Sequence, residues 1–217
     1  MTSYGVLGTG SVGQTVAARL VELGHDVRVG SRTAGGAAPG GGTVTFAEAA
    51  AHGDVILNAT SGLASVAALG AAGAENLDGK VLIDLANSID FSGGMPPRIG
   101  ADERDSLAER IQAAYPQARV VKALNTMNAS VMVAPRQLAG PHSTFLAGND
   151  DDAKAVVRGL LLEIGWADDE ILDLGDLSAA RALELYLPLW LRLMGAVGGA
   201  TFNIRVVPGA PGVAADS

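Results

Sequence analysis

Val6-Leu7-Gly8-Thr9-Gly10-Ser11-Val12-Gly13 is the stretch whose reading decides the fold. It sets a G-x-G-x-x-G pattern between an apolar run, Tyr4 to Gly8, and an amphipathic one, Ser11 to Leu23. The first run predicts a short buried strand. The second predicts a helix, with Val12, Val16, Leu20 and Leu23 at helical spacing and Gly24 as its C-terminal cap. In that context each glycine has a task. Gly8 permits the tight turn, Gly10 lets the backbone approach a pyrophosphate, and Gly13 lets the helix pack closely on the strand. Free N–H groups at the helix start, together with its dipole, favour phosphates.

Working outward, strands are predicted at His25–Gly30, Asp54–Ala59, Lys80–Ala86, Arg119–Leu124, Ser143–Gly148 and Ile171–Leu174. Helices are predicted at Leu63–Ala72, Asp102–Ala114 and Asp151–Ile164, with a long apolar one from Ser178 bent or interrupted at Pro188. Thr45 and Glu48 form the capping box of a short helix ending near Gly53. The Gly/Ala/Pro-rich run 34–42 predicts a mobile loop. Strands alternating with helices predict an α/β fold: a doubly wound, mostly parallel Rossmann sheet with a small helical C-terminal part. Residues 1–177 form the nucleotide-binding domain, 178–207 a helical dimerisation segment and 208–217 a disordered tail.

Composition narrows the function classes. The 217 residues are 48% hydrophobic and 18% charged, enough apolar side chain for a packed core. A formal net charge of −8 argues against a nucleic-acid partner. The absence of cysteine excludes disulfides, thiolate catalysis and thiolate metal sites, and fits the cytoplasm. No signal peptide and no membrane span are expected, since Leu183–Ala200 carries Glu184, Pro188 and Arg192.

The end of the second strand selects the cofactor. A site for NAD places a carboxylate there, about 20 residues beyond the glycines, on the ribose 2′-hydroxyl. This chain has Gly30-Ser31-Arg32-Thr33, and Asp26 stands too early. Arg32 suits a 2′-phosphate and adenine stacking, and Ser31 and Thr33 add hydroxyls, so NADP(H) is expected.

The order Gly-Thr-Gly-Ser-Val-Gly (8–13), then Gly-His-Asp-Val-Arg-Val-Gly-Ser-Arg (24–32), resembles the coenzyme F420 (deazaflavin)-dependent NADP oxidoreductase family. Further matches are Val120-Val121-Lys122-Ala123-Leu124-Asn125-Thr126 followed by Pro135, Ala147-Gly148-Asn149-Asp150-Asp151, and Ala180-Arg181 with Glu184. The resemblance implies an NADP-dependent oxidoreductase, usually a homodimer. The Lys122–Thr126 segment also looks like the reductase domain of membrane metalloreductases, which pass hydride to a flavin. Two positions depart from the family pattern. Gly35 and Gly36 stand where basic residues often hold the 2′-phosphate, and Asn125 stands where a histidine can lie near the deazaflavin.

Catalytic groups are sparse. His25 and His52 are expected at the surface, away from the site, and His142 in a structural role. There is no His/Asp/Glu metal cluster and no nucleophilic triad. Reducing a simple ketone usually needs a positioned acid, whereas hydride transfer to a flat ring needs mainly apposition. A site without an obvious acid favours a flavin or deazaflavin acceptor, unless water or Lys122 serves as the acid. Lys122 could instead pair with Asp84. Strand ends supply the lining: Ala59, Thr60 and Ser61 near the pyrophosphate, and Ala86 and Asn87 beside the nicotinamide. Asn125 and Thr126 follow, with Asn87 and Asn125 as candidates to hold the carboxamide or the acceptor. A protein that binds NADP(H) without turnover, as a sensor or scaffold, and an imine or carbonyl reductase are the alternatives.

Overall fold

The computed structural model describes residues 1–90, 92–94, 98–99 and 104–209. Its centre is an eight-stranded sheet of β1 (Ser3–Leu7), β2 (Asp26–Ser31), β3 (Val44–Thr45), β4 (Val55–Asn58), β5 (Val81–Asp84), β6 (Arg119–Ala123), β7 (Thr144–Gly148) and β8 (Ile171–Asp173). The spatial order is β8-β7-β6-β5-β4-β1-β2-β3. Strands β1 to β6 are paired in parallel, with Leu7 level with Gly30 on one side and Asn58 on the other. Strand β7 runs antiparallel to β6, with Lys122 opposite Ala147, and β8 follows β7. The parallel block therefore ends at β6, and the C-terminal rim of β1, β2, β4, β5 and β6 forms one edge. Open α/β sheets bind ligands at such an edge.

Helices cover both faces. Helix α1 (Ser11–Glu22) lies on one face with α5 (Ala129–Val133) and α6 (Asp151–Ile164), where Val16, Leu20, Val131, Val157 and Leu161 join one apolar core. On the other face lie α2 (Phe46–His52), α3 (Ser65–Ala72) and α4 (Leu107–Ala114), burying Phe46, Leu69 and Ile111. The chain ends in α7 (Ala180–Leu185) and α8 (Leu187–Val197), and Ala180 enters this second core. The Thr45–Glu48 capping box is present, and Gly24 has the expected left-handed conformation, φ +86°.

Several expectations need correction. Residues 34–42 are an ordered hairpin, with Ala37–Ala38 paired to Gly41–Gly42 and closed by Thr43 N–H on the Gly36 carbonyl at 2.7 Å. The glycines supply its positive-φ turn (Gly40 +79°, Gly41 +129°), so they mark tightness rather than looseness. Helix α4 begins at Leu107, because Ser106 and Glu109 form a second capping box; the expected start at Asp102 lies outside the described residues. The last helix is interrupted, one of the two expected outcomes, but at Tyr186 rather than at Pro188, which sits in the first turn of α8, where a missing N–H costs nothing. Helix α5, capped by Asn128, was not foreseen. His25 lies at the edge as expected and is partly exposed, but its side chain is more enclosed than a free surface residue, 7% exposed with its ring packed edge-on against Tyr4. Its Nδ1 accepts from the Thr2 N–H, while Nε2 faces Glu163 at 3.1 Å. His142 is structural as expected, with Nε2 on the Pro135 carbonyl. Of the tail, residues from 210 onward lie outside the described residues.

A polar row crosses the sheet beneath α3, α4 and α7. Asn58 Nδ2 donates to Asp84 Oδ1 at 2.8 Å. Lys122 Nζ bonds Asp84 Oδ2 at 2.8 Å, Glu184 Oε1 at 2.9 Å and the Ala86 carbonyl. Glu184 Oε2 accepts from the Leu107 N–H at 2.9 Å, at the start of α4. Lys122 and Asp84 have no exposed surface, and Glu184 is 2% exposed. Removing the cation strands two buried carboxylates, a change that costs about 3–5 kcal/mol. Lys122→Met should therefore lower the Tm by about 10 °C, at about 2–4 °C per kcal/mol for a chain of this size. Thermal unfolding followed by circular dichroism checks this; an unchanged Tm would contradict the role given to the row.

Candidate functional site

A cavity of about 660 Å³ opens on the C-terminal rim. Gly8, Thr9, Gly10, Ser31, Arg32, Ala59, Thr60 and Ser61 line it, as expected from the sequence. The three motif glycines do different work. At Gly8, φ is +121° and a Cβ would stand 2.5 Å from the Ala59 carbonyl oxygen. At Gly13 a Cβ would stand 2.1 Å from the Gly8 carbonyl oxygen, so α1 lies directly on the turn. At Gly10 a Cβ meets nothing within 4 Å, and the backbone is extended with φ −71° and ψ 178°. Packing does not require glycine there; open space beside the backbone remains.

Helix α1 has no side-chain cap and no acidic residue in its first turn. Its leading N–H groups are thus free for an anion or for water. Arg32 is exposed at the end of β2 and makes no ion pair among the described residues. Ser31 is partly committed, since its hydroxyl donates to the Thr33 carbonyl. Thr33, Ser11, Val12 and Gly13 are not among the cavity-lining residues. Thr60 turns inward, its hydroxyl donating to Asn58 Oδ1 at 2.7 Å.

Sequence reasoning missed one wall of the cavity. Thr45 and Phe46 stand at the start of α2, and Ala64, Ala67, Ala68 and Ala71 line the opposite side. The alanines recur at helical spacing, i, i+3, i+4 and i+7, which is a legible signal for a small-residue face. Nothing in the sequence said that this face meets the β2 end.

Ala86, Asn87, Asn125 and Thr126 lie outside this cavity, at the ends of β5 and β6. The two asparagines are brought together. Asn125 Nδ2 donates to Asn87 Oδ1 at 2.9 Å and to the Leu183 carbonyl at 3.1 Å, and Asn87 Nδ2 donates to the Asn125 carbonyl at 2.8 Å. Leu124, just before them, has φ +62°. A branched residue held in the left-handed region costs of order 1–2 kcal/mol, and such strain clusters at functional sites. Among the described residues, Asn125 Oδ1 and Thr126 Oγ1 are buried without a partner. Lys122 cannot serve as an acid here, because it has no accessible surface and its three donors are engaged. Tyr186 carries another buried hydroxyl without a partner among the described residues, and burial pushes its phenol above the usual range. Among the described residues no group of three or more His, Asp or Glu could hold a metal ion, and no helix is long and apolar enough to cross a membrane.

The fold and rim define the class, a Rossmann-like α/β protein with a cavity at the C-terminal strand ends. A sequence profile described as NADP oxidoreductase, coenzyme F420-dependent, matches residues 3–88. The crystal structure of a candidate F420-dependent NADP-reductase from Arthrobacter sp. FB24 is 47% identical, with a TM-score of 0.90 over 96% of this chain and 100% of that one. The chain belongs to the coenzyme F420-dependent NADP oxidoreductase family. The metalloreductase STEAP3 of Rattus norvegicus is 32% identical over 200 residues, 86% of this chain. The chain spans only 37% of that metalloreductase's length. A reductive aminase from Aspergillus terreus, 22% identical over 91% of this chain and 62% of that one with a TM-score of 0.64, shares the fold.

The glycine contacts predict a contrast in stability. Gly13→Ala should cost about 1–3 kcal/mol through overpacking, whereas Gly10→Ala should leave the Tm within about 2 °C, inside the ordinary range for an unpacked position. Thermal melts of the two variants test it, and equal losses would show that Gly10 also serves packing.

Proposed function

We propose that the protein binds NADP(H) along this rim and moves a hydride between it and a flat ring acceptor, a deazaflavin such as coenzyme F420 or a flavin. The observation that carries the reading is the pairing of an uncapped α1 start beside Gly10 with the unpaired Arg32 at the end of β2. The pyrophosphate rests on the backbone of Gly8–Gly13, and Arg32 pairs with the 2′-phosphate while Ser31 and Thr33 flank it. The alanine face of α3 and Phe46 bed the adenine. Ala59, Thr60 and Ser61 carry the chain past the pyrophosphate, and Ala86 stands beside the nicotinamide. Asn125 Oδ1 and Thr126 Oγ1 offer the polar atoms that a carboxamide or the acceptor would satisfy. The chemistry supplied by the bound dinucleotide is a hydride, and a conjugated ring takes it up by spreading the charge. The residues then need only orient the two rings and exclude water.

A second reading, imine or carbonyl reduction, draws on Tyr186. Its phenol sits one helical turn beyond Leu183, whose carbonyl holds Asn125, and it would donate the proton that such a substrate needs. A sensor without turnover is the remaining alternative.

The deciding experiment is NADPH oxidation by the purified protein with deazaflavin, riboflavin, FMN and a cyclic imine offered separately, NADH run in parallel. Oxidation with a ring acceptor is expected; oxidation with the imine alone would favour Tyr186, and binding without oxidation a sensor. Arg32→Ala should weaken NADPH by about 10–100-fold, the worth of a charge-assisted contact, and NADH by less than about threefold. Equal losses measured by titration would remove Arg32 from the 2′-phosphate. Gly10→Ala should weaken both nucleotides.

The 178–207 segment also supports a homodimer. Leu185, Leu189 and Val197 are 47%, 55% and 60% exposed, so one chain covers only one side of this apolar segment, and a second copy is its simplest cover. Light scattering should report twice the 21.9 kDa chain mass. A monomer would leave the α8 face as a docking surface for something else. A cytoplasmic location fits the same reading.

A further inference from the structure

Residues 32–37 are an exposed run at the mouth of the cavity, and Arg32 is the only charged side chain between Arg28 and Glu48. Gly35 stands at φ +92° with open space where a Cβ would be, so the run packs against nothing at that point. Fixing two adjacent glycines in an exposed turn costs backbone entropy, and no buried apolar surface offsets it there. The turn is closed nonetheless, and one buried residue closes it.

That residue is Thr43, 6% exposed, just ahead of β3. Its carbonyl accepts from the Gly35 N–H at 2.8 Å, and its N–H donates to the Gly36 carbonyl at 2.7 Å. Its hydroxyl accepts from the Gly36 N–H at 2.8 Å and donates to the Thr33 carbonyl over a longer 3.4 Å. The same Thr33 carbonyl accepts from the Ser31 hydroxyl, which in turn takes the Thr33 N–H at 3.2 Å. The backbone on both sides of Arg32 is therefore held, while its guanidinium forms no ion pair among the described residues. The neighbouring wall stands independently of this hydroxyl. Val44 and Thr45 pair with β2 through the backbone, and Thr45 with Glu48 caps α2 ahead of Phe46.

A lone cation on a long side chain discriminates well only if its base is fixed before the ligand arrives, because ordering a mobile loop on binding consumes most of the gain. We infer that Thr43 is a specificity-determining positioning residue: its buried hydroxyl holds the 33–36 turn so that Arg32 meets the 2′-phosphate from a preformed base. This rests on the NADP(H) reading above and deepens it. It assigns the selectivity to one arginine and one uncharged residue that touches no nucleotide.

The test titrates NADPH and NADH separately into the full chain, with the fluorescence of the reduced nicotinamide as the readout. Thr43→Val keeps the shape and both backbone bonds and removes the hydroxyl. It should weaken NADPH about fivefold, the scale of one net hydrogen bond, and NADH by less than about twofold. Thr43→Ser, which keeps the hydroxyl, should hold NADPH within about twofold of the unaltered protein. In an Arg32→Ala background Thr43→Val should add nothing, since the two act as one unit. Equal losses of both nucleotides in Thr43→Val, no loss of either, or additive losses in the double variant would overturn the inference. Amide exchange of the unaltered protein decides it even if a variant folds poorly. The Gly36 N–H should be protected before NADPH is added, and an amide that becomes protected only with NADPH would refute a preformed turn. A preference for NADPH that Arg32→Ala abolishes and Thr43→Val preserves would remove this inference and leave the NADP(H) reading. Equal binding of the two nucleotides by the unaltered protein would remove both. Selective NADPH binding through Thr43 without oxidation by any acceptor would leave this inference standing and remove hydride transfer.

Discussion

The buried ion cluster of Lys122 with Asp84 and Glu184 is the constraint on which the rest of the structure depends. It lies where three strands, one interior helix start and the C-terminal helices meet. Asp84 ties β5 to Asn58 on β4, and Asn58 ties in turn to Thr60 and Ser65. Lys122 fixes the Ala86 carbonyl and so the peptide before Asn87. Glu184 reaches from α7 to the first N–H groups of α4. Two carboxylates against one ammonium would be poorly balanced in an apolar interior, and the positive end of α4 makes up part of the difference. A pair of that kind stabilises little against an apolar substitute, but it fixes register. Strand ends, loop ends and the last helices can meet in only one way.

The same economy governs the helix starts. Helices α2, α4, α5 and α6 are each closed by a side chain, from Thr45, Ser106, Asn128 and Asp150. Helix α1 is not. Its cap position is Gly10, which brings no oxygen and no bulk. The fold thus closes four helix beginnings with side chains; α3, α7 and α8, also without a side-chain cap, continue from a preceding helical turn, and the start of α1 at the rim is left to solvent or to a ligand.

Much of this was legible in the sequence, for local reasons. The strand–glycine–helix order at Tyr4–Leu23, the Thr45–Glu48 box and the Asp151–Ile164 helix are each written within a few residues, where spacing and capping chemistry act directly. Even Lys122 with Asp84 could be suspected, because a lysine inside an apolar strand needs a partner. What was not legible depended on distance along the chain. Glu184 enters the Lys122 pair from 62 residues away, a position that periodicity does not encode. The alanine face of α3 looks like any small-residue helix until it is seen to share a cavity with the end of β2. Residues 34–42 misled because glycine raises both freedom and the capacity for tight turns, and composition alone does not separate the two. The interruption expected at Pro188 falls two residues earlier, at Tyr186, because proline is at home in the first turn of a helix.

The reversal of direction at β7 has a further consequence. The turns that follow β7 and β8 come out on the rim opposite the cavity, where Asn149 receives the Leu177 N–H and Asp150 closes α6. The Pro116–Gln117 turn before β6 lies on that same rim, lining a shallow polar hollow with Gly79, Asn149 and Asp150. The glycine-lined cavity and this hollow thus lie on opposite rims, an arrangement set by strand polarity. The rim opposite the cavity is where a fluorescent reporter or an inserted domain could be grafted at the exposed Pro116–Gln117 turn without meeting anything that enters the cavity.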